Sequence, residues 1–114
     1  MTHEELMAKY PKIMGKCYPT VGDGWLPLLD KLCHFLQFHT DNNNRDGRYP
    51  QVVAVQIKEK FGGLRFYVES ATSEQYAAIE FAEYLIGSMC EVCGEPGKRI
   101  NGGWIQTLCE KHSK

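Results

Sequence analysis

The sequence predicts one α+β domain in which helices pack on an antiparallel β-hairpin, followed by a small cysteine-rich subdomain. Apolar residues recur at helical spacing in two long segments, and between those segments the apolar period changes to two. Cysteines gather near the C-terminal end. The 114 residues, of which 43% are hydrophobic and 24% charged, have the size and composition of a single globular domain. We therefore divide the chain into a helix–hairpin–helix core over 1–89 and a tail over 90–114 packed on that core.

Helices are predicted in three segments. Thr2 and Glu5 fit a capping box, so a short helix is expected over 3–10. A second helix over 25–38 and a third over 74–89 each carry an apolar stripe with the helical period, and these stripes are expected to face a common core. The stripe of the second helix comprises Trp25, Leu28, Leu29, Leu32 and Leu36.

A β-hairpin is predicted after a polar, turn-rich loop over 41–50. Apolar and polar residues alternate along 53–58 and again along 64–69. Gly62 and Gly63 lie between the two runs, where a tight turn favours residues that accept positive φ. One face of the hairpin is expected to enter the core with six apolar side chains: Val53, Val55, Ile57, Leu64, Phe66 and Val68.

The tail carries four candidate metal ligands in the pattern C-x2-C-x15-C-x2-H: Cys90, Cys93, Cys109 and His112. Two residues between ligands let both side chains of a pair reach one ion, and Gly94 permits the sharp bend of a metal knuckle. The intervening residues predict a short hairpin, and the last ligand pair is expected on a short terminal helix. Knuckle, hairpin and helical pair are the layout of a treble clef or zinc ribbon.

Three thiolates and one imidazole form a closed tetrahedral set that suits Zn²⁺. A closed set leaves no coordination position for water or substrate, so the predicted zinc is structural. The alternative interpretation is that the three cysteines are core thiols and His112 is a solvated tail residue. His112 is the least secured ligand, since two residues follow it. Its replacement would be a water or another histidine: His3, His34 or His39.

No catalytic set is recognised in the sequence, so we predict a protein that is not an enzyme. The tail hairpin lacks the histidine base of His-Asn-His nucleases, and no H-E-x-x-H, P-loop or nucleophile-elbow pattern occurs. Cys33 and His34 are neighbours on the second helix and point about 100° apart, so Cys33 is interpreted as a core residue. Trp25 and Trp104 are likewise expected to be core or packing residues.

A binding surface is the second functional prediction. Basic residues interleave with aromatic residues in and around the hairpin, a combination that contacts phosphates and stacked bases in nucleic-acid-binding proteins. The alternative is an ordinary solvated sheet face. With a net charge of -1, the protein is not expected to coat nucleic acid or an acidic membrane. The candidate binding residues are Arg45, Arg48, Lys58, Lys60, Arg65, Tyr67 and Lys98.

Three segments together resemble a known family. They are 22–28 (GDGWLPL), 55–67 (VQIKEKFGGLRFY) and the tail motif CEVCG that begins at Cys90, with GWI and Cys109 further on. The chain resembles a family of small phage and prophage proteins that share the KEKFGGLRFY run. The resemblance implies a phage or mobile-element origin and a zinc-type tail. Many relatives end the last ligand pair with cysteine, so His112 departs from the pattern.

Together these observations predict a phage-type accessory protein that binds and inhibits a host protein or nucleoprotein complex such as a defence system. Alternatives are a weak nucleic-acid-binding or regulatory zinc-ribbon module and a binder of a small nucleotide signal. The N-terminal residues lack the basic flank and apolar core of a signal peptide, and no apolar run reaches ~20 residues. The expected location is therefore the cytoplasm of the bacterial host cell.

Overall fold

The structure, a computed structural model, describes residues 1–44, 47 and 49–113 and has the predicted α+β architecture. Two short helices precede a long helix, a two-stranded antiparallel sheet follows, and a further helix leads into a second two-stranded sheet in the tail. The elements are α1 (His3–Lys9), α2 (Pro11–Met14), a 3-10 turn (Asp23–Trp25), α3 (Leu26–Asn43), β1 (Ala54–Lys60), β2 (Gly63–Val68), α4 (Ser73–Ile86), β3 (Lys98–Ile100) and β4 (Gln106–Leu108).

Capping boxes begin two of the helices. At α1, the Thr2 side chain accepts from the amide of Glu5 and the Glu5 side chain accepts from the amide of Thr2, as predicted. The same reciprocal pair forms at α4 between Thr72 and Gln75. Each pair satisfies two backbone donors that the first helical turn would otherwise leave without partners.

Helix α3 ends at Asn43, so the predicted end near residue 38 is wrong. The additional turn of α3 is stabilised by threonine and asparagine side chains, which are residue types common in loops. Thr40 is buried, donates to the carbonyl of Leu36 and accepts from Gln75 on α4. Asn43 donates from its side chain to the carbonyl of His39, one turn earlier. The contact with α4 therefore extends the helix into a polar segment.

The core lies between α3, α4 and one face of the β1–β2 hairpin. Trp25, Leu29 and Leu36 are fully buried there, which confirms most of the predicted stripe, while Leu28 is only partly buried. Cys33 is also fully buried, and burial raises the pKa of its thiol to about 12. A thiol in that state is a small core residue and not a nucleophile.

The hairpin pairs as predicted, but Val55 was assigned to the wrong face, and Val53 is half-buried between the buried Val52 and Ala54. The register shifts between Ala54 and Gln56, where a β-bulge places an extra residue on β1. As a result Val55 is 60% exposed, while Ala54 and Val52 are buried in its stead. Beyond the bulge, Ile57, Leu64 and Phe66 fill the core face as expected.

The tail forms a second, smaller hydrophobic cluster. Strands β3 and β4 pair antiparallel, and Leu108 packs with Cys90, Cys109 and the half-buried Ile100. The terminal segment after Cys109 is a single turn, not the expected helix, and it is closed by the amide of His112 donating to the Cys109 carbonyl. No helix within the described ranges has the length and hydropathy of a membrane span.

Candidate metal centre

The four predicted ligands meet at one point in the tail. The donor atoms of Cys90, Cys93, Cys109 and His112 all lie within 4.8 Å of one another. The Cys93 and Cys109 sulfurs are 3.7 Å apart, and Nδ1 of His112 lies 3.1 Å from the Cys109 sulfur. The structure thus brings together the four residues that the spacing selected, including His112, and the other three histidines lie outside this group.

Local backbone geometry explains how the first pair reaches the site. The amide of Gly94 donates to the carbonyl of Cys90 at 2.8 Å, which closes the knuckle. Gly94 has φ of 82°, a left-handed conformation that other residues adopt only with strain. The first pair precedes β3 and the second follows β4, and Lys98 pairs with Leu108, so the antiparallel strands bring both pairs to the open end of the β3–β4 hairpin.

Backbone amides also set the charge of the cluster. Burial opposes ionisation of Cys90, but hydrogen bonds from backbone amides, first that of Cys109 and then that of Cys93, outweigh burial and lower its pKa to about 6. The Glu95 amide favours ionisation of Cys93, yet desolvation and the neighbouring thiols raise the pKa of that exposed cysteine. The Cys90 sulfur is therefore a thiolate at neutral pH, which is the form that binds metal ions.

The spacing of the donor atoms fits a tetrahedral ion. Two sulfurs bound to one tetrahedral zinc ion are about 3.8 Å apart, whereas the sulfurs of a disulfide are about 2.05 Å apart. The Cys93 and Cys109 sulfurs, at 3.7 Å, match the first value, and all the cysteines are free thiols. Cys90, Cys93, Cys109 and His112 can accordingly hold a metal ion with a complete set of four ligands.

The knuckle is fastened to the core by a loop that the sequence did not single out for this role. The amide of Gly24 donates to the carbonyl of Glu91, and the amide of Gly22 donates to the Glu91 carboxylate. A Cβ on Gly24 would lie 2.4 Å from the Cys90 carbonyl oxygen and 2.5 Å from the Gly94 nitrogen. The glycines of the GDGW motif therefore serve a close backbone contact with the metal site.

Two further hydrogen bonds join tail and core. The indole Nε1 of buried Trp25 donates to the carbonyl of Met89, directly before the first ligand. The buried hydroxyl of Thr107 donates to the carbonyl of Gly62 at 2.6 Å, at the tip of the core hairpin. The tail is thus held to the core at two places, near the start of α3 and at the β1–β2 turn.

The predicted binding residues fall into three groups. Lys58, Lys60, Arg65 and Tyr67 lie on the outer face of the β1–β2 hairpin, as expected from the alternation. Arg45 and Arg48 lie outside the described residues. Lys98 lines a groove with Pro96, Cys109 and Glu110. Because adjacent residues of a strand point to opposite faces, Lys98 and Arg99 lie on different faces of β3, and Lys98 does not join the hairpin group.

Arg99, Phe61 and Trp104 lie beside this hairpin group. Arg99 pairs with Thr107 across β3 and β4, and therefore shares the face of Thr107 that contacts the core hairpin. Trp104 was expected to be a core or packing residue but is 74% exposed, and the small tail cluster of Cys90, Leu108 and Cys109 does not include it. The β3–β4 register places Arg99 near the hairpin tip, whereas Phe61 and Trp104 line the cleft beside it.

Comparison with protein-family models, with curated proteins and with solved structures gives no match to this chain.

Proposed function

We propose that this protein is a non-enzymatic, zinc-stabilised interaction protein that binds a macromolecule of a bacterial host. The observation that carries this proposal is the closed Cys₃His set seated against the core. Four protein ligands leave no coordination position for a water or a substrate, which is the condition of a structural site. Zinc is the ion that three thiolates and one imidazole favour in tetrahedral geometry.

An interaction role is supported by aromatic side chains that remain outside the core. Soluble monomers expose few contiguous apolar patches, and large exposed aromatics are typical of contact surfaces. The structure has such residues at the hairpin tip, on the tail and on the outer faces of α3 and α4: Phe61, Trp104, Phe38, Phe81 and Tyr84. The sequence resemblance supports a specific form of this function. In that form, a phage-type accessory protein inhibits a host protein or nucleoprotein complex, such as a defence system.

The zinc proposal is tested by elemental analysis of freshly purified protein. We expect one zinc ion per chain, and loss of that ion in the Cys93→Ser and Cys109→Ser variants. Cys17→Ser is the matched control, because Cys17 lies outside the cluster and should leave the zinc content unchanged. A wild-type protein with no stoichiometric ion, or with zinc that survives both ligand changes, would contradict the proposal.

The interaction proposal is tested by a tagged pull-down from host cells, with and without nuclease. We expect specific capture of a host component by the zinc-loaded protein and reduced capture by Cys109→Ser, since the tail carries part of the exposed surface. Capture that resists nuclease identifies a protein partner, and capture that nuclease removes identifies a nucleoprotein partner. Turnover of a nucleotide or nucleic acid by protein free of contaminating enzymes would overturn the non-enzymatic assignment.

A further inference from the structure

Two arginines from different hairpins converge above a glycine at the junction of core and tail. Measured from the position that a Cβ on Gly63 would occupy, Nη1 of Arg65 is 3.2 Å away and Nη2 of Arg99 is 4.0 Å away. Gly63 begins β2 beside the turn, and the tail hydroxyl of Thr107 contacts the neighbouring Gly62. The absence of a side chain at Gly63 leaves the space into which both guanidinium groups extend.

A third cation, Lys58, lies on the same face of the core hairpin as Arg65. Lys58 lies directly opposite Arg65 in the hairpin register, and like charges in that position destabilise a sheet. Among the described residues, neither they nor Arg99 form an ion pair within 4.0 Å. The nearby carboxylate of Glu59 accepts from the amide of Gly62 at 2.7 Å. The junction therefore concentrates positive charge that a bound anion would offset.

Exposed aromatic rings flank this cationic group. Lys58 also lines an open cleft of about 470 Å³ between the core hairpin and the tail loop, together with Phe61 and Trp104. Phe61 is 58% exposed and Trp104 is 74% exposed. Lys60 lies over the Phe61 ring, with its Nζ 5.6 Å from the ring centroid. Rings exposed beside cations provide surfaces on which bases stack.

We propose that this junction binds the sugar–phosphate backbone of a single nucleic-acid strand. Planar guanidinium groups match phosphate oxygens in a bidentate manner, so Arg65 and Arg99, with Lys58, would hold the phosphates. Phe61 and Trp104 would stack on bases, which are available in a single strand and are paired within a duplex. The inference rests on the proposed interaction function and assigns its partner a chemical class.

The small number of cations sets the strength of this binding. Single-strand affinity falls with salt by about 0.7 in log–log slope for each phosphate neutralised. Three cations therefore predict a slope near −2. A surface of this size on a protein with net charge -1 is expected to bind weakly and only at low ionic strength.

The test uses the full-length, zinc-loaded protein and fluorescent oligonucleotides of about 12 nucleotides, a length within the usual site sizes. Anisotropy is measured with oligo(dT), oligo(rU) and a duplex of the same length, across a salt series. We expect both single strands to bind with a slope near −2, and more tightly than the duplex. Absence of single-strand binding at low salt, or affinity that does not depend on salt, would overturn the inference.

Two variants of one position separate charge from shape. The nearest atom to the added Cβ at Gly63 belongs to the flexible end of Arg65, so a side chain there is accommodated. Gly63→Asp would place a carboxylate between the two arginines and is expected to reduce affinity at least tenfold relative to Gly63→Asn, which has the same size without the charge. Equal affinities of the two variants would contradict the phosphate site.

The cations and the ring are then tested directly. Arg65→Ala combined with Arg99→Ala should reduce the affinity for single strands at least tenfold and reduce the magnitude of the salt slope by about 1.4. Trp104→Ala should reduce that affinity about tenfold with little change in the salt slope. The control is Lys12→Ala combined with Lys31→Ala, two exposed cations on α2 and α3, outside the hairpin and the tail. Equal losses in the control and in the arginine variant would refute the assignment.

The two proposals fail in different ways. If the oligonucleotides do not bind but a host protein is still captured after nuclease treatment, the interaction function holds and the nucleic-acid inference is wrong. Zinc content and circular dichroism of every variant establish that a lost affinity does not reflect unfolding.

Discussion

Gly24 is the residue at which the core comes closest to the metal knuckle. Its backbone amide donates to Glu91, and its α-carbon faces the backbone of Cys90, Cys93 and Gly94 with no room for a methyl group. These backbone atoms cannot move away from an added methyl group as easily as the end of a flexible side chain can. The glycine is therefore required by the contact between two parts of the chain far apart in sequence.

Gly24→Ala is predicted to destabilise the protein by about 1–3 kcal/mol, the usual cost of forcing an extra methyl group into a packed site. It is also predicted to weaken zinc retention, because the displaced atoms include the amide of Cys93, which favours the Cys90 thiolate. Gly102→Ala is the control, since no atom lies within 4 Å of the added methyl group. Urea unfolding and competition with a zinc chelator measure both effects; equal behaviour of the two variants would contradict the close contact.

At the scale of elements, the β-bulge in β1 decides which side chains the sheet contributes to the core. Side chains of a strand alternate between the two faces of the sheet. One inserted residue therefore moves every side chain on one side of the bulge to the face opposite the one that simple alternation predicts. Val55 lies at the bulge and faces outwards, while Ile57 and its cross-strand partner Phe66 remain inside.

Ile57→Ala is predicted to cost about 2–5 kcal/mol, because Ile57 is 1% exposed and its truncation leaves a cavity. Val55→Ala should change the unfolding free energy by no more than about 0.5 kcal/mol, although the simple alternation places both residues on one face. Denaturant midpoints of the two variants measure the difference. A large loss at Val55 would mean that the strand is regular and the bulge absent.

At the scale of the whole molecule, we expect the stability of the tail, but not that of the core, to depend on a bound metal ion. The larger hydrophobic cluster, which includes Leu6, Trp25 and Ile86, contains only residues of the 1–89 core and none of the tail. The tail cluster contains three buried residues, two of which are ligands. An ion that closes this site therefore supplies much of the stability that so small a core lacks.

Removal of zinc with a chelator is predicted to lower the Tm by about 5 °C or more while most helical signal in circular dichroism remains. Hydrogen exchange should lose protection over 90–113 but retain it in α3 and α4. Protons compete with the ion for sulfur, so zinc retention should weaken as the pH falls, more steeply below about 6, the pKa of Cys90. Complete unfolding of the protein on chelation, or unchanged hydrogen-exchange protection in the tail, would contradict the prediction that the metal stabilises the tail and not the core.

The metal ligands and the main core stripe were predictable because each depends on local spacing. Two residues between ligands, a glycine after the knuckle and a 3.6-residue apolar period constrain the chain wherever they occur. The end of α3, the face of Val55 and the exposure of Trp104 were not, since each depends on a partner distant in sequence.

The sequence alone therefore determined the fold class, the four residues of the metal cluster and the order of the main helices and strands, but not α2 or the turn after Cys109. Only the tertiary structure decided how the tail sits on the core, with Gly24 against the knuckle, Thr107 against the hairpin turn and Arg99 beside Arg65. The physical reason is that hydropathy and spacing act within one element. Backbone contacts and the convergence of charges arise between elements, and no single segment contains them.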